Sequence, residues 1–222
     1  MKKIMFNDKY GLTQAVLDGR KTMTRRIVCT KDVRLPVHMS YDIKTRQLLL
    51  YDACLSFVER SRYAFDEVVA IAQSYKDINE LGIVQTKPTQ GDEYIWFGND
   101  GGLECVWAEN HAGWKNKIFV KAELMPHHIK IKSVRVERLQ DISNEDCLRE
   151  GIYFDKEGGQ SIGYPIAVPF YYTFRGAINR DGKQLHWSTP KEAFAELIYK
   201  VSGKGTWESN PLVWVYEFEL AD

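Results

Sequence analysis

Eight consecutive residues, Gly19-Arg20-Lys21-Thr22-Met23-Thr24-Arg25-Arg26, bring four cations and two hydroxyls together. Guanidinium forks bind carboxylate, phosphate and carbonyl oxygens, an ammonium acts as a point charge, and hydroxyls donate and accept. Such a set suits a small polar pocket for an anionic or carbonyl-bearing ligand. A plainer role fits too. Arg20 and Lys21 follow a short helical pattern, where cations complement exposed carbonyls, and Thr22 and Thr24 are ordinary strand residues.

The elements that would position this segment are legible on both sides of it. Asn7 or Asp8 can cap a helix with Leu12, Ala15 and Val16 on one face, and Gly19 falls where a left-handed residue ends it. Beyond it the chain turns extended toward Val28. Far downstream, a long strand over 129–139 leads to Ser143, an N-cap with Asp146 at the third helical position, and this short helix stops at Gly151. Glu150 is then the last helical residue. A carboxylate at a negative helix end is unfavourable, so a cation is expected to hold it.

Other chemistry-bearing residues are weaker candidates. Cys29, Cys54, Cys105 and Cys147 are widely spaced, without a Cys-x-x-Cys pair, and are expected to be buried free thiols. His127 and His128 are adjacent, so in a strand they point to opposite faces and make a poor metal pair. Glu217 and Glu219 read as a solvent face, Trp214 as core, and Trp207, in a glycine-rich loop, as a candidate stacking platform. No metal site is expected, and neither a phosphate-binding glycine loop nor a Ser-His-Asp set can be assigned.

Thirty basic residues balance thirty acidic ones over 222 residues, which argues against strong non-specific gripping of duplex DNA. Positive charge is local, concentrated over 19–34. The apolar run at Ile4-Met5-Phe6 is too short for a signal peptide, and no stretch approaches the roughly 18 apolar residues of a membrane span. A cytosolic protein without membrane partners is expected.

The remaining pattern is rich in strands. Residues 2–6, 37–41, 47–52, 66–74, 94–97, 103–108, 117–121 and 212–220 read as extended. Asn99-Asp100-Gly101-Gly102 reads as a hairpin turn, 76–91 as a loop with a short helix near 78–81, and 152–188 as an irregular aromatic covering. Thr189-Pro190-Lys191-Glu192 starts a helix closed by Gly203, and 204–210 reads as a polar loop. This is an α+β pattern with about three short helices around a compact β-barrel. We read one domain over 1–222, elaborated by a β-rich insertion at about 30–116.

Taken together, the Gly19–Arg26 motif, Glu137-Arg138-Leu139-Gln140-Asp141-Ile142-Ser143, Glu150-Gly151 and Asn210-Pro211-Leu212-Val213-Trp214-Val215-Tyr216-Glu217-Phe218 resemble the ASCH domain. Leu124-Met125-Pro126 narrows the resemblance to phage- and prophage-type ASCH proteins. It covers about 1–29 and 117–222. In the middle, Ile71-Ala72-Gln73 stands where that subgroup has a tripeptide ending in a carboxylate. The resemblance implies a PUA-like barrel and an RNA or nucleotide-like partner, bound without a cofactor at a pocket of Arg20, Lys21, Thr22, Thr24, Arg26 and Glu150.

A small ASCH enzyme that hydrolyses the amide of N4-acetylcytidine carries a similar motif. That likeness places a catalytic lysine at Lys21, a threonine nucleophile at Thr24 and a glutamate at Glu150. Such chemistry needs a base for the hydroxyl and hence a neutral amine near pH 7. Neighbouring arginines and burial would lower the Lys21 pKa, while Glu150 would raise it.

Overall fold

The computed structural model describes residues 1–29, 35–80, 113–155 and 172–222, together with strands over 85–89, 92–97 and 104–107. In chain order these form β1 (Lys3–Ile4), α1 (Leu12–Leu17), β2 (Met23–Ile27), β3 (His38–Asp42), β4 (Gln47–Tyr51), β5 (Phe57–Arg60), β6 (Val68–Ile71) and α2 (Tyr75–Glu80). Next come β7 (Gln85–Thr89), β8 (Asp92–Phe97), β9 (Glu104–Trp107), β10 (His128–Arg138), α3 (Asn144–Arg149) and β11 (Tyr153–Phe154). The chain ends with β12 (Tyr172–Thr173), α4 (Pro190–Ser202), α5 (Thr206–Ser209) and β13 (Leu212–Leu220). The class is α+β.

Two compact units divide the chain. One comprises 1–6, 68–129 and 221–222, the other 7–67 and 130–220. In the first, β1 runs parallel to β6, with Ile4 opposite Ile71, and Ala70, Tyr75, Ile78, Val120 and Met125 form a buried cluster. Strands β7, β8 and β9 pair antiparallel in that order. The turn expected at 99–102 lies outside the described residues, and β7 occupies part of the expected loop.

The expected strand over 117–121 is instead a 3-10 turn at Lys117–Phe119. Its cause is local, because the Asn116 side chain accepts from the Ile118 N–H and offers the backbone a cap in place of a ladder.

The second unit carries the site. Here β13 lies between β10 and β2, and β2 pairs antiparallel with β13 from Met23 opposite Glu217 to Ile27 opposite Val213. Val213, Trp214, Val215 and Tyr216 are all buried, as a strand covered on both faces requires. A separate antiparallel sheet has the order β3-β4-β5. Strand β5, not expected from the sequence, follows a turn in which the Asp52 carboxylate accepts from the Cys54 and Ser56 N–H groups. No closed barrel is present among the described strand pairings.

The helices follow their sequence signals. Thr189 and Glu192 make both bonds of a capping box at the start of α4, whose Ala193, Phe194 and Leu197 face the core. Where a polar loop was expected, 206–209 coils into the single turn of α5 and Asn210 stops it at φ +43°.

Candidate functional site

Two chain segments meet at the centre of the site. Gly19, at φ +71°, ends the α1 turn, and the Lys21 N–H donates to the Ala15 carbonyl at 2.8 Å. The Thr22 N–H donates to the Arg149 carbonyl at 3.0 Å, tying this segment to the end of α3. Ser143 caps α3 by accepting from the Asp146 N–H at 3.1 Å, and the helix closes with Glu150 as C-cap.

Lys21 is the cation that Glu150 required. Its Nζ donates to Glu150 Oε2 at 2.5 Å and to the Glu150 backbone carbonyl at 2.8 Å, so one ammonium neutralises the carboxylate and caps the helix end. Both residues are buried, Lys21 at 2% exposure and Glu150 at 4%. Burial lowers the Lys21 pKa, with the Glu150 carboxylate opposing it and Arg26 and Arg25 adding to it. The direction expected from the sequence holds, with burial as the largest cause.

Arg25 extends the pair into a network. Its Nη1 reaches Glu150 Oε1 at 3.0 Å, its Nη2 reaches Glu137 Oε1 at 2.6 Å and Asp146 Oδ2 at 3.1 Å, and its guanidinium lies 6.0 Å from the Phe194 ring centre. Arg135 joins Glu137 and Asp146, at 3.1 and 2.8 Å, to Glu217. Arg149 contacts Glu217 at 3.2 Å and donates through Nε to Thr22 Oγ1 at 3.2 Å. Glu217 is therefore a network member, correcting its reading as plain solvent face.

The strand register separates the other motif residues. Thr24 is opposite Tyr216 and Arg26 opposite Trp214, whereas Arg25 is opposite Val215. Alternation puts Thr24 and Arg26 on one face of β2 and Arg25 on the other. Thr24 is buried, and its hydroxyl hydrogen-bonds neither Lys21 nor Glu150. Near Arg26 the Tyr63 and Tyr216 rings meet edge to face at 5.1 Å, and the Arg62 N–H donates to the Tyr216 hydroxyl at 2.9 Å. Burial lowers the Arg26 pKa, Tyr63 being the largest opposing influence.

Arg20 is placed differently again. It lines a cavity of about 260 Å³ with Tyr10, Gly11, Gly151, Tyr153 and Arg175. Lys21 packs behind the Gly151 wall, where an added Cβ would stand 3.8 Å from Lys21 Cδ. Lys21 and Glu150 are thus brought together, Arg20 opens onto the adjoining cavity, Thr22 is taken by Arg149, and Thr24 and Arg26 lie on the face of β2 opposite Arg25, with Arg26 still within electrostatic reach of Lys21 and Glu150. Tyr10, Tyr153 and Arg175 were missed. The available signal was an arginine followed by glycine, Arg175-Gly176, within an aromatic stretch.

The remaining candidates resolve simply. His127 Nδ1 lies 2.6 Å from Asp222 Oδ2, and no group of side chains able to hold a metal occurs among the described residues. Trp207 packs its edge against Phe194 at 6.2 Å. Cys147 is buried, but Cys29 and Cys54 are exposed, against expectation, because each sits just beyond a strand rather than on its core face. The Gln73 side chain is buried with Oε1 unpartnered. No described helix is long and apolar enough to cross a membrane.

Comparison with protein-family models, curated proteins and solved structures finds no match to this chain.

Proposed function

We propose that this chain is an ASCH-type protein of PUA-like architecture that binds RNA or a nucleotide-like ligand at the cavity beside the Lys21–Glu150 pair. One observation carries the reading: Arg20, from the motif that resembles the ASCH signature, lines a cavity whose Gly151 wall is backed by Lys21. The buried pair fixes that wall, and Arg20 supplies a guanidinium for phosphate or carbonyl oxygens. Fluorescence anisotropy of a labelled short single-stranded RNA, with unlabelled nucleotides as competitors, tests it. Saturable binding weakened about tenfold by Arg20→Ala is expected; binding indifferent to Arg20, or none, contradicts it.

A second reading, hydrolysis of the amide in N4-acetylcytidine-type nucleosides, draws on the lowered Lys21 pKa and on the Thr24 hydroxyl three residues away. It requires Lys21 to leave Glu150 and reach Thr24, since these groups share no hydrogen bond. Binding asks for no such rearrangement and is the preferred reading. Chromatography separates the two: cytidine released from N4-acetylcytidine, and lost in Lys21→Ala and Thr24→Ala, would establish the hydrolase.

A further inference from the structure

The geometry points to Arg175 as the partner of Arg20 in a two-guanidinium clamp for the phosphate of a single nucleotide, with Tyr10 and Tyr153 as the walls of its cavity. This deepens the nucleotide-binding reading and rests on it.

Arg175 is held in place by three close approaches. It follows Phe174, which is fully buried, stacked on Trp187 at 5.6 Å and edge-on to Tyr10 at 5.9 Å. A turn closes from the Ala177 N–H to the Phe174 carbonyl at 3.1 Å, and its Gly176 adopts φ +78° where a Cβ would come 2.8 Å from the Lys9 carbonyl. The aliphatic stem of Arg175 lies against Gly11, so closely that a Cβ there would meet Arg175 Cδ at 2.5 Å. A glycine at Gly11 thus creates the space the arginine occupies.

This arrangement places a charge without spending it on a neighbour. Among the described residues no carboxylate lies within ion-pair distance of Arg175. Arg20 is paired with Asp18 at 2.9 Å, and the nearby Asp155 accepts His186 Nε2 at 2.9 Å. Arg175 therefore keeps its donors for an anion with several acceptor oxygens, which it can bind together with Arg20 across the cavity they both line. Volume sets the size of the occupant. About 260 Å³ is slightly below the ~300 Å³ at which ligand pockets commonly begin, enough for about one nucleotide. Two tyrosine walls suit a base or sugar alongside that phosphate.

Titration calorimetry of the full chain with nucleosides, their 5′-monophosphates and inorganic phosphate tests the clamp. The monophosphates should bind about tenfold more tightly than the nucleosides. Arg175→Ala should erase that difference, and Arg175→Lys, which keeps the aliphatic stem packed on Gly11, should recover part of it. Short single-stranded RNA, with and without a 5′-phosphate, identifies the source. If a strand supplies the phosphate, RNA competes with the monophosphates and Arg175→Ala lowers its salt slope by about one; if the free nucleotide does, RNA fails to compete. Nucleoside binding with no gain from phosphate, or a gain that survives Arg175→Ala, overturns the clamp alone. Absence of binding by every probe overturns the clamp and the nucleotide-binding reading together.

Discussion

The Lys21 ammonium donates both to the side chain of Glu150, at 2.5 Å, and to that residue's own carbonyl, at 2.8 Å. A buried pair of this kind costs much to bring out of water, and removing one partner leaves the other uncompensated. Glu150→Gln should therefore destabilise the protein by about 3–5 kcal/mol, because the buried Lys21 would lose the carboxylate that opposes the lowering of its pKa. Lys21→Met should cost less, since Glu150 retains Arg25 at 3.0 Å. The double variant should be more stable than the sum of the single losses predicts, and urea unfolding across the cycle measures that coupling.

Alkaline pH should weaken the fold through two buried groups, Cys147 and Tyr216. Burial raises the Cys147 thiol from 9.0 to about 12 and the Tyr216 hydroxyl from 10.0 to about 12. A raised folded pKa means stability that is fully present below the unfolded pKa and lost as pH climbs through the folded one. Stability should fall from about pH 9 toward pH 12, and Cys147→Ala should flatten the first part of that fall. Denaturant midpoints measured at successive pH values show the slope.

Gly151 is a second point at which the site depends on backbone. It has φ +107°, and an added Cβ would stand 3.1 Å from Leu12 Cδ2 and 3.8 Å from Lys21 Cδ. Gly151→Ala should cost more than about 1 kcal/mol and weaken ligand binding, because the wall between cavity and Lys21 must shift. Unfolding and calorimetry on the same sample report the two effects.

Thr24 separates the two readings of the site. Its hydroxyl is off the Lys21–Glu150 network and Thr24 does not line the cavity, so Thr24→Val should leave nucleotide affinity within about twofold. A large loss of affinity, or a product peak from N4-acetylcytidine that disappears in this variant, would instead favour the hydrolase.

Much of this arrangement could be read from the chain because its signals are local. Ser143 with Asp146, Thr189 with Glu192 and the left-handed Gly19 fixed helix ends, and a carboxylate stranded at the end of α3 demanded a cation. That demand named no partner; the resemblance put Lys21 and Glu150 in one pocket, and the structure pairs them across 129 residues. Side-chain alternation in β2 was equally legible, but which of its faces met Glu150 was not; that is set by the contact of Arg25 with Glu150. Arg175 escaped notice for a different reason. Its value lies in packing on Gly11, a contact between residues 164 positions apart that no local pattern announces. Strand β5 and the turn at Lys117–Phe119 were missed because side-chain caps at Asp52 and Asn116 overrode weak periodicity.

The most direct test of the binding site is nuclear magnetic resonance of the labelled protein titrated with nucleoside 5′-monophosphates. Progressive, saturable shifts should gather on the backbone signals of Gly11, Gly151 and Tyr153 and on the guanidinium signals of Arg20 and Arg175. Shifts confined to other parts of the chain, or none at millimolar nucleotide, would contradict a nucleotide site at this cavity.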